Sequence, residues 1–171
     1  MYPEWYLKEK TASEKSLEEE AAELLAKKKM TVTTAESCTG GLIAGTIINV
    51  AGASEVINEG YVTYSNEAKE RLVGVSHETL ERYGAVSEQT AREMAEGAAK
   101  AAGADAALSA TGIAGPGGGT EEKPVGLVYI GCYVKGKTTV KECRFNGSRM
   151  ENRLHTVEEA LRLLLRQLSE E

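Results

Sequence analysis

The sequence is poor in the residues that hold metals and disulfides. Its 171 residues include three cysteines and two histidines. The cysteines, Cys38, Cys132 and Cys143, are odd in number and form no Cys-x-x-Cys pair, so neither a disulfide framework nor a zinc site is indicated. Because His77 and His155 are the only histidines, catalysis by a bound metal is not expected.

Long apolar runs and an excess of positive charge are also missing. No segment approaches the ~20 apolar residues of a membrane span, and the N-terminus lacks the basic-then-apolar order of a signal peptide. The net charge of −6 argues against a broad surface for nucleic acid or anionic lipid, because either requires clustered lysine and arginine. We therefore expect a cytoplasmic protein that binds neither nucleic acid nor membrane.

What is present is enough apolar sequence for one domain. Hydrophobic residues make up 42% of the chain, which at this length builds one well-buried core rather than two. We expect residues 1–12 to form a tail, with Trp5 and Tyr6 available to anchor it. Residues 13–171 then form the domain.

Helical and strand-like segments alternate along this domain. A helix is expected after Ser13, with Ser16 and Glu19 placed for a capping box, and Ser76 and Ser87 are expected to cap two later helices. Strands are predicted near 30–35, 59–65, 104–111, 125–134 and 138–145, further helices near 39–50, 66–72, 76–83 and 87–103, and a closing helix carries Val157, Leu161, Leu164, Leu165 and Leu168 on one face. This order predicts a three-layer α/β/α domain whose last two strands pair as an antiparallel hairpin.

Residues 35–41, of sequence AESCTGG, lie where a short β-branched strand is predicted to turn into a helix. Ser37 stands at this junction. Amides at a helix start lack internal partners and carry the positive end of the helix dipole, so they can hold a phosphate or a developing oxyanion. The segment therefore indicates acyl chemistry with a serine nucleophile. The alternative is an ordinary helix cap followed by glycines that allow close packing.

A second glycine-rich segment, residues 112–120, follows the predicted strand at 104–111. Its glycines allow several amides to approach a phosphate or carboxylate, although a flexible linker has the same composition. Ligands of open α/β sheets bind beyond the carboxyl ends of strands, so this loop and Ser37 are expected to face one crevice. Arg149 and Arg153, one helical turn apart, are available to contact a phosphate or are surface charges.

A serine nucleophile requires a base, and neither histidine is placed to supply one. His77 falls in a predicted helix cap and His155 in an amphipathic helix. A lysine can replace histidine when burial or a neighbouring cation lowers its pKa far enough for the free amine to accept the serine proton. Lys69, after the predicted strand at 59–65, is a candidate, but spacing alone does not select it among 20 basic residues.

Five motifs stand in a distinctive order: residues 35–41 (AESCTGG), 64–69 (YSNEAK), 84–87 (GAVS), 111–118 (TGIAGPGG) and 123–126 (KPVG). Together they resemble the CinA C-terminal-domain family, which includes nicotinamide mononucleotide deamidases, and the similarity runs from about residue 16 to the end. The resemblance implies a mixed, mostly parallel sheet of about five strands with one antiparallel strand, a homodimer, and the stand-alone form without a molybdopterin-binding-like N-terminal domain. Asn152 departs from the family, which more often has an apolar residue there.

The resemblance also implies an activity, namely hydrolysis of nicotinamide mononucleotide to nicotinate mononucleotide and ammonia in pyridine-nucleotide salvage. Neither a metal nor another cofactor is implied. On matching positions, Ser37 is similar to the nucleophile and Lys69 to its general base, with Tyr64 and Thr111 as polar partners of this pair. The implied substrate-binding positions, through oxyanion or phosphate contacts, are Cys38, Thr39, Gly40, Gly41, Gly115, Gly117, Gly118 and Arg149.

Two alternatives stay open from the sequence. A non-catalytic nucleotide-binding module would use the same glycine loops, with Lys69 solvated or bound to phosphate, and would bind ligand without turnover. An enzyme with Cys38 as nucleophile would lose its activity in Cys38→Ala. The pair of Ser37 and Lys69 instead predicts that Ser37→Ala abolishes ammonia release and that Cys38→Ala largely spares it.

Overall fold

A five-stranded mixed sheet separates two helical layers in the computed structural model, which describes residues 15–171. The predicted tail at 1–12 lies outside the described residues. The helices are α1 (Leu17–Lys28), α2 (Leu42–Ile48), α3 (Asn66–Val73), α4 (His77–Tyr83), α5 (Glu88–Ala102) and α6 (Arg149–Ser169), and the strands are β1 (Val32–Glu36), β2 (Tyr61–Val62), β3 (Ala106–Gly112), β4 (Leu127–Val134) and β5 (Lys137–Arg144). This order confirms the predicted α/β class.

The strand order across the sheet is β2-β1-β3-β4-β5. Strand β1 pairs in parallel with β2 and β3, whereas β4 pairs antiparallel with both β3 and β5. Four strands therefore run in one direction and β4 runs in the other, which confirms the expectation of one antiparallel strand. The carboxyl ends of β1, β2 and β3 meet at one edge of the sheet.

Two apolar clusters fill the space between the sheet and its helices. One face of the sheet packs against α1, α2 and α6, with Leu25, Ile43 and Leu164 fully buried. The other face packs against α3, α4 and α5, where Val73 and Met94 are buried. Burial of each such side chain contributes about 1.5–3 kcal/mol, so the two clusters hold the helices against the sheet. Every helix among residues 15–171 is too short or too polar to cross a lipid bilayer.

Serine side chains begin several of these helices. The predicted capping box at the start of α1 is present, since the Glu19 amide donates to Ser16 Oγ and the Ser16 amide donates to the Glu19 carboxylate. Ser76 and Ser87 cap α4 and α5, as predicted. Each cap accepts a hydrogen bond from an amide that has no partner within its helix, which fixes where the helix begins.

Two predicted elements are shorter than expected. The helix predicted at 39–50 is α2, which begins only at Leu42, because Gly40 and Gly41 have φ angles of 59° and 99° that a right-handed helix excludes. The strand predicted at 59–65 is limited to β2, since this edge strand pairs only with β1 and Ser65 already caps α3. Both differences lengthen the loops at the carboxyl edge of the sheet.

Candidate active site

A cavity of about 200 Å³ opens where β1, β2 and β3 end. The chain leaves β1 for β2 on one side and later returns to β3 on the other, and this reversal of strand order is the usual position of ligand sites in open α/β sheets. The cavity wall consists of Ser37, Cys38, Tyr64, Asn66, Lys69, Ala85, Val86, Thr111, Gly112, Ala114 and Arg149. Six of the predicted site residues therefore meet in one place.

Ser37 and Lys69 form the centre of this wall. Ser37 follows β1 directly, and its amide donates to the Ala110 carbonyl of β3 at 2.9 Å. Lys69 lies in the first turn of α3, and its Nζ atom is 3.2 Å from Ser37 Oγ and 2.9 Å from the carbonyl oxygen of Thr63. A neutral amine in this position can donate to Thr63 and accept the serine proton through its lone pair.

The surroundings of Lys69 favour the neutral amine. The side chain is 1% exposed, and among the described residues no carboxylate forms an ion pair with it. Removal from water disfavours the ammonium form, so burial lowers the pKa of Lys69 below its ordinary value. The predicted base therefore has both the distance and the electrostatic environment that proton abstraction requires.

The N-terminus of α2 is not free to bind a ligand, which corrects the expectation drawn from residues 35–41. The carboxylate of Glu36, a fully buried residue, accepts hydrogen bonds from the amides of Gly41, Ile43 and Ala44 at 3.1, 3.0 and 2.8 Å. A buried anion at the positive end of the helix dipole satisfies these donors from inside the protein. Gly41 thus contacts Glu36 and does not line the cavity.

Two amides of the loop between β1 and α2 donate to no carbonyl or carboxylate within residues 15–171. The Gly40 amide donates to the Ser37 carbonyl at 3.1 Å, and the Gly41 amide is taken by Glu36. Within residues 15–171 the amides of Cys38 and Thr39 donate to no carbonyl or carboxylate, and the Cys38 amide contacts only its own thiol. Unpaired amides next to a serine nucleophile are the donors from which an oxyanion hole is built.

Cys38 is poorly suited to act as the nucleophile. Its side chain is 6% exposed, and burial raises the pKa of the Cys38 thiol to about 12. The reactive thiolate is therefore scarce at neutral pH, in contrast to cysteines whose pKa is lowered for catalysis.

Tyr64 and Thr111 line the cavity together with Ser37 and Lys69, but within residues 15–171 no hydrogen bond joins either of them to that pair. Their role as polar partners of the pair stays a prediction. The Thr111 hydroxyl donates to the Ala85 carbonyl at 2.7 Å, which fixes the wall of the cavity. Tyr64 is 64% exposed, and its hydroxyl accepts from Arg149 Nη2 at 3.3 Å. Both side chains complete the site at its edges rather than at its centre.

The glycine loop after β3 contributes less to the cavity than predicted. Gly117 and Gly118 are exposed and do not line the cavity. The phosphate-binding position expected at these two glycines is therefore not part of the cavity wall. Gly115 takes part indirectly, because its carbonyl accepts from Arg149 Nη1 at 2.8 Å. The charged group at the rim is thus Arg149, whose side chain is held by Gly115 and Tyr64.

Arg153 and Asn152 hold loops instead of facing a ligand. Arg153 donates through Nε to the Cys38 carbonyl at 3.0 Å and through Nη2 to the Thr39 carbonyl at 2.9 Å, and it does not line the cavity. Asn152 is fully buried, accepts from the Gly147 amide at 2.9 Å and donates to the Ala114 carbonyl at 3.0 Å. The departure from the family pattern at Asn152 is therefore accommodated by two hydrogen bonds.

Two contributors were missed in the sequence, Glu36 and Thr63. A glutamate at the end of a β-branched strand, directly before a glycine-rich helix start, is the signal for the first. Thr63 acts through its backbone, since its carbonyl accepts from Lys69 while its amide donates to the Glu36 carbonyl at 2.8 Å. A backbone contact of this kind leaves no trace in residue type. Over the described part of the chain, no group of three or more His, Cys, Asp or Glu side chains could hold a metal.

Comparison with known proteins places this fold and site in a family. A relative from Clostridium perfringens, named a competence-damage inducible protein, is 59% identical over 155 residues, which is 91% of this chain and 38% of the relative. A CinA-like protein from Kosmotoga olearia is 62% identical over 136 residues, 80% of this chain and 33% of the relative. The chain thus spans less than two-fifths of the length of these curated relatives.

Solved structures agree with the sequence comparison. The competence/damage inducible protein CihA from Agrobacterium tumefaciens superposes with a TM-score of 0.85 at 45% identity, covering 94% of this chain and 99% of that one. A CinA superfamily protein from Klebsiella pneumoniae gives a TM-score of 0.87 at 35% identity, with coverage of 91% and 97%. The family model described as the CinA C-terminal domain matches residues 14–168. The chain therefore belongs to the CinA C-terminal domain family.

Proposed function

We propose that this protein is an amidohydrolase that converts nicotinamide mononucleotide into nicotinate mononucleotide and ammonia, with Ser37 as nucleophile and Lys69 as general base. The observation that carries the proposal is the 3.2 Å distance between Lys69 Nζ and Ser37 Oγ, in a buried site where no carboxylate of residues 15–171 pairs with the lysine. A binding module has no need for a desolvated amine beside a serine hydroxyl, whereas a serine hydrolase does.

The reaction follows from the positions of these groups. Ser37 Oγ attacks the amide carbon while its proton passes to neutral Lys69, and the amides of Cys38 and Thr39 donate to the oxyanion that develops. The lysine ammonium returns its proton to the departing nitrogen, ammonia leaves and an ester to Ser37 remains. A water molecule then gives a proton to Lys69 and attacks the ester carbon. Ser37 Oγ leaves and takes that proton back from Lys69, and the acid departs as its carboxylate.

Cavity size and rim charge support a mononucleotide as the substrate. The volume of about 200 Å³ is below the 300–1,000 Å³ typical of sites that enclose a whole drug-sized ligand, so it suits the flat amide-bearing ring. Arg149 lies at the rim with its guanidinium held by Gly115 and Tyr64, where it can meet the ribose phosphate. The proposed substrate class thus rests on two features of the same cavity, its small volume and the exposed Arg149 at its rim.

The test is an assay of the purified protein with nicotinamide mononucleotide, without added metal, in which ammonia and nicotinate mononucleotide are measured together. We expect the two products in equal amounts, their loss in Ser37→Ala, and activity within about threefold of the unmodified protein in Cys38→Ala. Loss confined to Cys38→Ala would assign the nucleophile to the cysteine. Tight binding of the nucleotide without either product would contradict the proposal and favour a non-catalytic binding module.

A further inference from the structure

The loop between β1 and α2 is held from two sides by charged side chains that do not line the cavity. On one side the carboxylate of Glu36 accepts three amides at the start of α2. On the other, the guanidinium of Arg153, from α6, donates to two successive carbonyls, those of Cys38 and Thr39. The distance along the chain between Arg153 and Cys38 is 115 residues, so only the tertiary structure brings them together.

The contact with Arg153 determines the direction of a peptide group. A trans peptide is planar, so its carbonyl and its N–H point in opposite directions. Because the Cys38 carbonyl points at Arg153, the Thr39 N–H points away from it. In the same way, acceptance of the Gly40 amide by the Ser37 carbonyl turns the Cys38 N–H away from Gly40. These are the two loop amides that donate to no carbonyl or carboxylate among the described residues.

We propose that Arg153 is a positioning residue for the reaction. Its bond to the Cys38 carbonyl sets the direction of the Thr39 amide, and its bond to the Thr39 carbonyl sets that of the Gly40 amide, whose hydrogen bond to the Ser37 carbonyl in turn orients the Cys38 amide. The Cys38 and Thr39 amides held in this way serve as the oxyanion hole for attack by Ser37. The inference rests on the proposed function only in requiring Ser37 to be a nucleophile. Arg153 itself touches neither Ser37 nor Lys69 through a hydrogen bond in the described structure, and it does not line the cavity.

The chemistry of arginine suits this task. Its planar guanidinium offers donors in a fixed fork, here Nε and Nη2, which can bind two carbonyls at once and hold their relative orientation. The guanidinium packs next to Gly40, where a Cβ atom would lie 3.4 Å from Arg153 Nη2. A lysine in the same position carries the charge but lacks the fork, so it would orient the two peptide groups less firmly.

The experiment measures acylation chemistry in two ways. The first is steady-state hydrolysis of nicotinamide mononucleotide by Arg153→Ala, with KM and kcat determined separately. Loss of one oxyanion donor costs about 10²–10³ in kcat, so displacement of two donors that remain present is expected to lower kcat about 10- to 100-fold while KM stays within about twofold. Arg153→Lys is expected to recover part of the loss.

The second measurement does not depend on the proposed substrate. A small alkyl phosphonofluoridate is attacked at phosphorus by Ser37 Oγ; fluoride leaves, the serine proton passes to Lys69, and the tetrahedral adduct places its phosphonyl oxygen in the oxyanion hole. The labelling rate, followed by intact mass and assigned to Ser37 by peptide mapping, is expected to fall in Arg153→Ala by a factor similar to that for kcat.

Arg162→Ala is the matched control, because it removes another arginine of α6, one that pairs on the surface with Glu158. Its kcat and labelling rate are expected to lie within about twofold of those of the unmodified protein. Thermal unfolding of each variant gives the folded fraction at the assay temperature, and rates are corrected for it. If Arg153→Ala does not fold, Arg153→Gln, which retains a single amide donor, is judged by the same criteria.

The outcomes separate the inference from the proposed function. Hydrolysis of the nucleotide with kcat unchanged in Arg153→Ala, or a loss confined to KM or to the folded fraction, overturns the role of Arg153 and leaves the function standing. Labelling of Ser37 that depends on Arg153, without hydrolysis of the nucleotide, supports the role of Arg153 and overturns the substrate. Absence of both Ser37 labelling and nucleotide hydrolysis in the unmodified protein overturns both.

Discussion

The Nζ atom of Lys69 lies 3.2 Å from the Oγ atom of Ser37, although 32 positions separate the two residues. Parallel pairing of β1 with β2 brings the two residues together. Ser37 follows β1 directly. After β2, the turn from Thr63 to the Ser65 cap leads the chain back over the strand ends into α3, which carries Lys69. The carbonyl of Thr63 then holds the amine at 2.9 Å. The reactive pair is therefore a product of strand register and of one helix cap.

The activity is expected to rise with pH on a single limb that reports Lys69. Only the neutral amine accepts the serine proton, and burial lowers the pKa of Lys69, so the midpoint of kcat/KM should lie below the ordinary lysine value of 10.5. The measurement is the pH profile of hydrolysis between about pH 5 and pH 10. Lys69→Arg, which stays protonated throughout, should show no such limb and little activity, and an unchanged profile in that variant would contradict the assignment.

Stability should depend on pH through the same residue. Because the pKa of Lys69 is lower in the folded protein, the unfolded chain binds more protons between the folded value and the ordinary one, and the free energy of unfolding rises with pH across that window. Below the window the buried ammonium form costs stability. Lys69→Met removes this cost, so it should be more stable than the unmodified protein at neutral pH, and the difference should shrink as the pH is raised. Urea unfolding at several pH values measures it.

Removal of the Glu36 charge should destabilise the protein. The buried carboxylate accepts three amides at the start of α2, and in Glu36→Gln one oxygen becomes an amide nitrogen that faces donors. We expect the free energy of unfolding to fall by about 2–3 kcal/mol in urea denaturation. Glu142→Gln, on the surface beside Arg144, serves as the control and should change it by less than about 0.5 kcal/mol. Equal effects of the two variants would exclude a capping role for Glu36.

Two adjacent threonines of β1 should respond in opposite directions to the same substitution. Thr34 is buried and its Oγ1 has no hydrogen-bond partner among the described residues, whereas the Thr33 hydroxyl donates to the Glu59 carbonyl at 2.8 Å. Thr34→Val exchanges an unsatisfied hydroxyl for a methyl group and should raise the free energy of unfolding by up to about 1 kcal/mol. Thr33→Val leaves a carbonyl without its donor and should lower it by about 1 kcal/mol. Chemical denaturation of both variants tests this pair, and a shared sign would contradict it.

Arg149 should act on substrate binding through the phosphate. A charged hydrogen bond of this type contributes about 1.5–3 kcal/mol, so Arg149→Met is expected to raise KM for nicotinamide mononucleotide about 10- to 100-fold, with a smaller effect on kcat. Nicotinamide riboside, which lacks the phosphate, is the control substrate, and its KM should be nearly the same for both proteins. A similar loss with the riboside would show that Arg149 acts by holding Gly115 and Tyr64 instead.

Local features of the sequence predicted much of the fold. Alternation of helical and strand patterns gave the α/β class, and the capping box of Ser16 and Glu19 and the caps Ser76 and Ser87 are where they were expected. These features are short-range, because a cap joins residues three positions apart. The predicted strand-to-helix junction singled out Ser37, and the motif resemblance selected Lys69, which spacing alone did not select among 20 basic residues.

Long-range contacts decided the rest. Arg149 and Arg153 lie one helical turn apart and have the same residue type, yet Arg149 reaches the cavity rim and Arg153 reaches the carbonyls of Cys38 and Thr39. The sequence likewise predicted free amides at the start of α2, and the fold instead placed the Glu36 carboxylate on three of them. By itself the sequence determined the elements and the residue types available for chemistry, because helix caps and hydrophobic periodicity act over a few residues. Which donor meets which acceptor was decided only in the folded chain. The packing of α6 brings Arg149 and Arg153 to segments that the chain order keeps apart, and the conformation of the β1–α2 loop turns three nearby amides onto the Glu36 carboxylate.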